Sequence, residues 1–157
     1  MTLPPSSSNV QHWIWKQKWP SLRPIQEQAI PLILNGETDV IISAATAGGK
    51  TEAAFLPIFS YIAEQEQTVG IQALCISPLK ALINDQYRRL SEIGDDLEIL
   101  VTPWHGDVDA TKKTKLRKKP SGILIITPES LEALLMRQGA NLSVMFNALN
   151  CIVVDEL

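Results

Sequence analysis

The chain has few of the residues that build metal centres and covalent cross-links, with two cysteines and two histidines among 157 residues. Cys75 and Cys151 each lie inside a short apolar run, which favours buried thiols over a disulfide or a metal pair. No group of histidines and cysteines has metal-ligand spacing, and no order of Ser, His and Asp indicates a hydrolytic triad. These absences argue against a cysteine–histidine metal centre and against triad chemistry.

Long apolar runs and an excess of positive charge are also missing. No stretch approaches the roughly 18 apolar residues of a membrane span, and no signal peptide is recognisable, so we expect a cytoplasmic protein without a membrane partner. The formal net charge is −3, so any nucleic-acid binding must use local features. The length and the 45% hydrophobic content suit one globular domain with a buried core.

Short apolar segments alternate with helical patterns along most of the chain. The strand candidates are 39–43, 71–76, 97–102, 122–126 and 151–155. They are apolar almost throughout, as strands covered by helices on both faces are. The helix candidates between them are 50–65, 79–93, 108–118, 128–138 and 142–148. The alternation predicts βαβ units and a mainly parallel sheet.

The N-terminal part precedes this alternation. Residues 1–9 form a Pro- and Ser-rich lead-in, and 10–19 predict a short helix whose tryptophans pack against the domain. Pro24 suits the first turn of a second helix, which Asn35-Gly36 ends. Pro31 lies inside that pattern and could kink it.

The most informative stretch is a loop of small residues, Thr46-Ala47-Gly48-Gly49-Lys50-Thr51, between a strand candidate and a helix candidate. Small residues let backbone N–H groups close around phosphate oxygens, and a helix N-terminus favours anions. We expect Lys50 to reach the β- and γ-phosphates and the Thr51 hydroxyl to bind Mg²⁺. Ala44 stands where the general pattern has glycine, so an ordinary glycine-rich turn is the alternative.

Polar residues also follow three of the later strand candidates. Ser77-Pro78 and Thr127-Pro128 each combine a hydroxyl at an N-cap with proline at the first helical position. Asp155 at the last strand end can hold Mg²⁺, and Glu156 can orient or deprotonate an attacking water. The alternative is a polar pair that only closes a strand. Because parallel strands end at one sheet edge, we expect all these residues there, with the loop.

Taken in chain order, these segments resemble the motifs of superfamily 2 helicases of the DEAD/DEAH-box type. Residues 44–51 match motif I, 77–82 resemble motif Ia, 127–130 resemble motif Ib, and Asp155-Glu156 matches the opening of motif II. Leu79–Gln86 together with Trp104–Asp107 is similar to the Lhr-like and Ski2-like branches.

Upstream, Trp19–Gln26 resembles the adenine-reading Q motif of the same family. The Gln26 amide offers a donor and an acceptor, which suits the adenine edge. Arg23 or Trp19 could stack on the base. The resemblance therefore covers residues 19–157, with 1–18 as an N-terminal extension.

The resemblance implies an α/β domain with a three-layer αβα RecA-like fold, which is the ATP-binding domain of an ATP-dependent DNA or RNA helicase. It implies ATP and Mg²⁺ as cofactors and a second RecA-like domain as partner. A P-loop NTPase of another class, or a non-catalytic nucleic-acid-binding domain with this fold, is the alternative. The residues implied in ATP binding are Arg23, Gln26, Thr46, Ala47, Gly48, Gly49, Lys50 and Thr51. Those implied in catalysis are Lys50, Asp155 and Glu156, with Thr51 and Asp155 as metal ligands. Those implied in nucleic-acid binding are Pro78, Lys80, Thr127 and Pro128.

Two features depart from the family pattern. Ala47 replaces a loop glycine and limits backbone freedom. Leu157 follows Asp-Glu where the family continues, so we expect a fragment that alone hydrolyses little ATP. A further basic run at 112–119 favours a solvated helix face, with a nucleic-acid contact as the alternative.

Overall fold

The computed structural model describes residues 7–45, 48–66, 68–139 and 141–156. The chain divides into two compact units, Met1–Glu66 and Gln67–Leu157. Across the described ranges, no helix combines the length and the apolar character that crossing a membrane requires.

The described part of the first unit is built from three helices. They are α1 (Ser8–Lys16), α2 (Pro24–Asn35) and α3 (Lys50–Glu64), and α3 contacts both of the others. Apolar residues are buried around most of the circumference of α3, as in a helix at the centre of a core. The largest of them are Phe55, Leu56 and Phe59, each at most 2% exposed.

The helix boundaries in this unit follow from local chemistry. The Ser7 side chain caps α1 by accepting a hydrogen bond from the Val10 N–H. Pro24 occupies the start of α2, and Gly36 ends it in a left-handed conformation with φ 67°. These two boundaries were predicted from the sequence and are confirmed. Pro31 is accommodated inside α2.

The strand predicted for 39–43 is wrong. Residues 39–45 have no regular secondary structure, and Ile41 is 83% exposed. Apolar composition indicates burial, but a strand also needs backbone hydrogen bonds from a neighbouring strand. The described part of this unit has no other strand that could supply them.

The second unit contains a four-stranded sheet that is parallel throughout. Its strands are β1 (Gly70–Ile76), β2 (Val101–Trp104), β3 (Ser121–Ile126) and β4 (Cys151–Val154), in the order β2-β3-β1-β4. The connecting helices are α4 (Lys80–Leu97), α5 (Ala110–Lys118), α6 (Pro128–Gln138) and α7 (Asn141–Met145). The predicted α/β class with a parallel sheet is therefore confirmed.

The central strands β1 and β3 are buried almost throughout, which explains their unbroken apolar sequence. Their side chains form the core of this unit with residues from the helices. The fully or nearly buried members are Ile71, Leu74, Trp104, Leu116, Leu124, Ile126, Leu134 and Met145. Each such side chain contributes about 1.5–3 kcal/mol when buried.

The helix α4 extends further than predicted. It buries Ile83, Gln86, Leu90 and Ile93 at helical spacing and continues to Leu97. Glu98 then stops it in a left-handed conformation with φ 57°. The strand predicted from 97 therefore begins only at Val101.

Candidate nucleotide-binding and nucleic-acid-binding residues

Gly49 is the residue that precedes α3, and its conformation requires glycine. Its φ of 88° lies in the left-handed region, which side chains disfavour. A Cβ at this position would lie 2.8 Å from Gln26 Nε2 and 3.0 Å from Arg23 Cδ. The turn into α3 thus packs directly against the start of α2.

The Lys50 side chain folds back over the loop from the first residue of α3. Its Nζ donates to the Ala44 carbonyl oxygen at 2.7 Å. The Gly48 N–H donates to the Ala45 carbonyl at 2.9 Å, which closes a tight turn. An ammonium group and the positive pole of a 15-residue helix therefore lie at one end of this loop, an arrangement that suits an anion. The predicted loop residues Thr46 and Ala47 lie outside the described residues.

Gln26 is 2% exposed and connects α2 to the loop. Its Oε1 accepts a hydrogen bond from the Arg23 N–H at 2.9 Å, and its Nε2 reaches the Gly49 carbonyl at 3.5 Å. The structure therefore brings the predicted base-reading residues and the predicted phosphate loop together within the first unit. Thr51 lies in the first turn of α3 and is partly exposed.

In the second unit, three predicted sites follow neighbouring parallel strands. Ile76 of β1 pairs with Ile126 of β3 and with Val154 of β4, so these strands end at the same level. The Asp155 N–H extends the ladder by donating to the Ile76 carbonyl at 2.9 Å. The segments that begin at Ser77, Thr127 and Asp155 therefore share one sheet edge, as predicted. Glu156 is exposed and has a φ of 58°.

Gln86 holds the Asp155 carboxylate, a role that the sequence did not suggest. Gln86 Nε2 donates to Asp155 Oδ2 at 2.6 Å, and Gln86 Oε1 accepts from the Cys75 thiol at 3.6 Å. The available signal was a polar residue on the buried face of α4, three residues after Ile83. A buried amide at such a position needs polar partners.

The two thiols are kept neutral. Burial, followed by the nearby Asp155 charge and Cys151, raises the pKa of Cys75 to about 12. A protonated Cys75 is the donor that Gln86 Oε1 needs. Burial also raises the pKa of Cys151. Both cysteines are free thiols, as predicted, with Cys75 fully buried and Cys151 partly buried.

The two Pro-containing helix starts differ. Thr127 caps α6, because its Oγ1 accepts from the Ser130 N–H at 3.3 Å and Pro128 follows as the first helical residue. The N-cap predicted at Ser77 is wrong, since α4 begins at Lys80. The Ser77 N–H donates to the Ile126 carbonyl, which continues the sheet and buries the Ser77 side chain. Within the described ranges, the Ser77 hydroxyl has no hydrogen-bond partner.

Lys80 and Pro78 are exposed near the start of α4. Lys80 Nζ lies 2.9 Å from Asp107 Oδ2, and this hydrogen bond lowers the pKa of the Asp107 carboxyl. The adjacent His105 is 4% exposed, with Nε2 3.0 Å from Asn84 Oδ1 and Nδ1 accepting from the Asp107 N–H. Burial lowers the pKa of His105. The loop after β2 is therefore attached to α4 at two points.

Parallel strands that end in polar loops define the class of α/β proteins that bind ligands at the carboxyl edge of a sheet. The DEAD/DEAH box helicase family matches residues 23–157, and the chain belongs to this family.

Several curated relatives are similar over nearly the whole chain. ATP-dependent helicase Lhr-Core of Sulfolobus acidocaldarius is 36% identical over 160 residues, covering 94% of this chain and 18% of that protein. DEAD-box ATP-dependent RNA helicase CshA of Bacillus subtilis is 32% identical over 150 residues, covering 96% and 29%. The chain spans about a fifth of the length of the Lhr-Core relatives that it matches.

Solved helicase structures share the fold. The DUF1998 helicase MrfA superposes with a TM-score of 0.84 at 29% identity, covering 99% of this chain and 24% of that one. Mycobacterium smegmatis helicase Lhr, bound to ssDNA and AMP-PNP, gives a TM-score of 0.78 at 28% identity, with coverage of 96% and 20%. DEAD-box helicase Mss116, bound to ssRNA and UDP-BeF, gives 0.85 at 26%, with coverage of 96% and 31%.

Proposed function

We propose that this chain is the N-terminal ATP-binding domain of an ATP-dependent helicase that moves along or unwinds DNA or RNA. The observation that carries the proposal is the close packing of Gln26 and Gly49 beside Lys50, in a chain of the helicase family. Relatives are named as ATP-dependent helicases, and solved neighbours are described with AMP-PNP and with nucleic acid.

The loop and the start of α2 suit a nucleoside triphosphate. Lys50 would leave the Ala44 carbonyl and bind phosphate oxygens, beside the backbone N–H groups of the loop and of the first turn of α3. Thr46 to Gly49 would supply that loop. Gln26 and Arg23 would recognise adenine, and Gln26 would then exchange its hydrogen bond to Gly49 for one to the base.

The donors proposed for Mg²⁺ are oxygens, which this ion prefers. Among the described residues, no group of three His, Cys, Asp or Glu side chains could hold a metal. The ion therefore fits as one held by the Thr51 hydroxyl, by the Asp155 carboxylate directly or through water, and by phosphate oxygens. When bound, it supplies charge that stabilises the phosphates. Glu156 would orient or deprotonate the attacking water.

The nucleic-acid strand would be held by its phosphates, without base reading. Thr127 and Pro128 present the N-terminus of α6, and Lys80 and Pro78 lie beside the start of α4. Lys80 would exchange its exposed ion pair with Asp107 for a phosphate. A second RecA-like domain of the same protein would supply arginine fingers, worth roughly 10³–10⁵ in rate. We therefore propose that the chain alone hydrolyses ATP slowly, and that the protein acts in the cytoplasm.

The deciding experiment measures ATP hydrolysis by the full-length protein with and without single-stranded DNA or RNA. We expect stimulation by one of the two strands, and we expect Lys50→Ala to abolish it. The matched control is Lys16→Ala, which removes an exposed lysine from the end of α1. Hydrolysis that neither strand stimulates would instead support an NTPase of another class. No hydrolysis, with nucleic acid still bound, would support a non-catalytic binding domain.

A further inference from the structure

The helix α5 carries a concentration of positive charge that the proposed ATP and strand sites do not use. Six of the 14 lysines and arginines of the chain lie within 112–119, a stretch with no acidic residue. They are Lys112, Lys113, Lys115, Arg117, Lys118 and Lys119. This local excess contrasts with the net charge of −3.

Three of these cations are held in place by aromatic rings. Lys113 Nζ and the Arg117 guanidinium carbon lie 5.9 Å and 5.1 Å from the ring centroid of Trp104. Lys112 Nζ lies 5.7 Å from the ring centroid of Tyr87 on α4. Cation–π contact at these distances is favourable, and the buried Leu116 anchors the helix between them. The charges are therefore ordered before any ligand binds.

The remaining three cations, Lys115, Lys118 and Lys119, are exposed. Within the described residues, no carboxylate lies within ion-pair distance of any of them. The nearby Asp107 is paired with Lys80, and Asp109 is occupied as the N-cap of α5, where its side chain accepts from the Thr111 N–H. The surface therefore keeps its positive charge.

Helix stability does not account for this charge pattern. Basic residues in the last turn complement the negative pole of a helix, which explains Lys115, Arg117 and Lys118. Lys112 and Lys113 lie in the first turn, near the positive pole, where a positive charge is unfavourable. Retaining lysines there requires another reason, and binding of a polyanion supplies one.

We propose that α5 binds the phosphate backbone of a nucleic acid, independently of sequence and separately from the strand contacts at Lys80 and Thr127. The inference rests on the proposed helicase function for the presence of nucleic acid. Residues 112–119 extend over about 10 Å of helix axis, long enough to meet several phosphates of one strand or of a duplex. A membrane surface fits less well, because Leu116, the large apolar residue of α5, is buried.

The test compares two variants of the chain that each lose four positive charges. The first carries Lys112→Gln, Lys115→Gln, Lys118→Gln and Lys119→Gln, and leaves the Trp104 contacts intact. The control carries Lys16→Gln, Lys18→Gln, Arg89→Gln and Arg137→Gln, at exposed positions outside α5. Circular dichroism and urea unfolding establish that both variants are folded.

Binding of fluorescent single-stranded and duplex DNA and RNA is measured by anisotropy from 25 to 200 mM salt. We expect the α5 variant to bind at least about tenfold more weakly at low salt, with a salt slope reduced by about 2–4. The control variant should keep the slope of the wild type. A larger loss on duplex, or on single strands, identifies the form that α5 contacts.

Two results overturn the proposal. One is equal binding by the α5 variant and the control, and the other is absence of nucleic-acid binding by the wild-type chain at 25 mM salt, even if an acidic protein binds. Failure of the helicase function has a different signature, because it appears as unstimulated ATP hydrolysis while the α5 effect on binding persists.

Discussion

Gln86 and Asp155 form a hydrogen bond of 2.6 Å between α4 and the end of β4. The donor is a side chain that is 7% exposed, and the acceptor carries the charge proposed to act on Mg²⁺. A short bond from a fixed amide to a carboxylate restricts its rotamer and is stronger than a bond between neutral groups. Within the described residues, Asp155 Oδ1 is left for an ion or its water ligand.

Replacement of Gln86 by leucine should therefore affect both stability and activity. Gln86→Leu removes the donor from Asp155 and leaves Cys75 without its acceptor, which should cost about 1–3 kcal/mol in unfolding free energy. In the full-length protein, we expect a lower kcat for ATP hydrolysis because the carboxylate loses its orientation. Urea unfolding and steady-state kinetics measure the two effects. The control Gln28→Leu changes an exposed glutamine of α2, and an equal effect there would contradict the assignment.

Gly49→Ala should separate backbone strain from steric conflict when it is compared with Gly36→Ala. Both glycines have positive φ, 88° and 67°, so each alanine costs about 1–2 kcal/mol in conformation. A Cβ at Gly36 meets nothing within 4 Å, whereas at Gly49 it meets Gln26 and Arg23. We expect the larger loss of stability, and weaker ATP binding, only for Gly49→Ala. Equal unfolding midpoints would show that Gln26 does not pack against the loop.

The Cys75 thiol should be unreactive in the folded chain. Because burial and the Asp155 charge raise its pKa to about 12, almost no thiolate exists at pH 8. A Cys151→Ser variant, which retains only Cys75, should react with a thiol reagent at a rate limited by unfolding. In guanidinium chloride it should react at once. Rapid modification of the native variant would contradict the packing around Gln86.

Stability should fall on mild acidification because of His105. Burial lowers the pKa of His105 in the folded chain, so the unfolded chain binds the proton more readily. The unfolding free energy is therefore unaffected above the unfolded pKa of about 6.5 and decreases as the pH falls below it. Urea midpoints between pH 8 and pH 5 measure the decrease. His105→Gln should reduce the slope in this window, and an unchanged slope would exclude His105 as its source.

The Lys80–Asp107 pair acts at lower pH. Its hydrogen bond lowers the pKa of Asp107 in the folded state, so its contribution is present above the unfolded pKa of about 3.9 and is lost as the pH falls through the folded pKa. The two groups are therefore distinguishable by pH range, since the His105 effect is complete at milder acidity.

Local chemistry was enough to predict several boundaries of this chain. Pro24 and Gly36 delimit α2 because proline and glycine have backbone preferences that persist in any context. Thr127-Pro128 begins α6 for the same reason. The almost identical pair Ser77-Pro78 failed as a helix start, because the Ser77 N–H is drawn into the sheet by the Ile126 carbonyl.

The sequence by itself determined the order of strands and helices and the family motifs, since apolar spacing and the small residues around Lys50 are local properties. Which apolar segments become strands depended on tertiary structure, because pairing partners come from distant positions, and 39–43 has none within its own unit. Tertiary structure also decided the part played by Gln86. An amide 69 residues from Asp155 in the chain has no local signal for this contact, and only the packing of α4 on the sheet creates it.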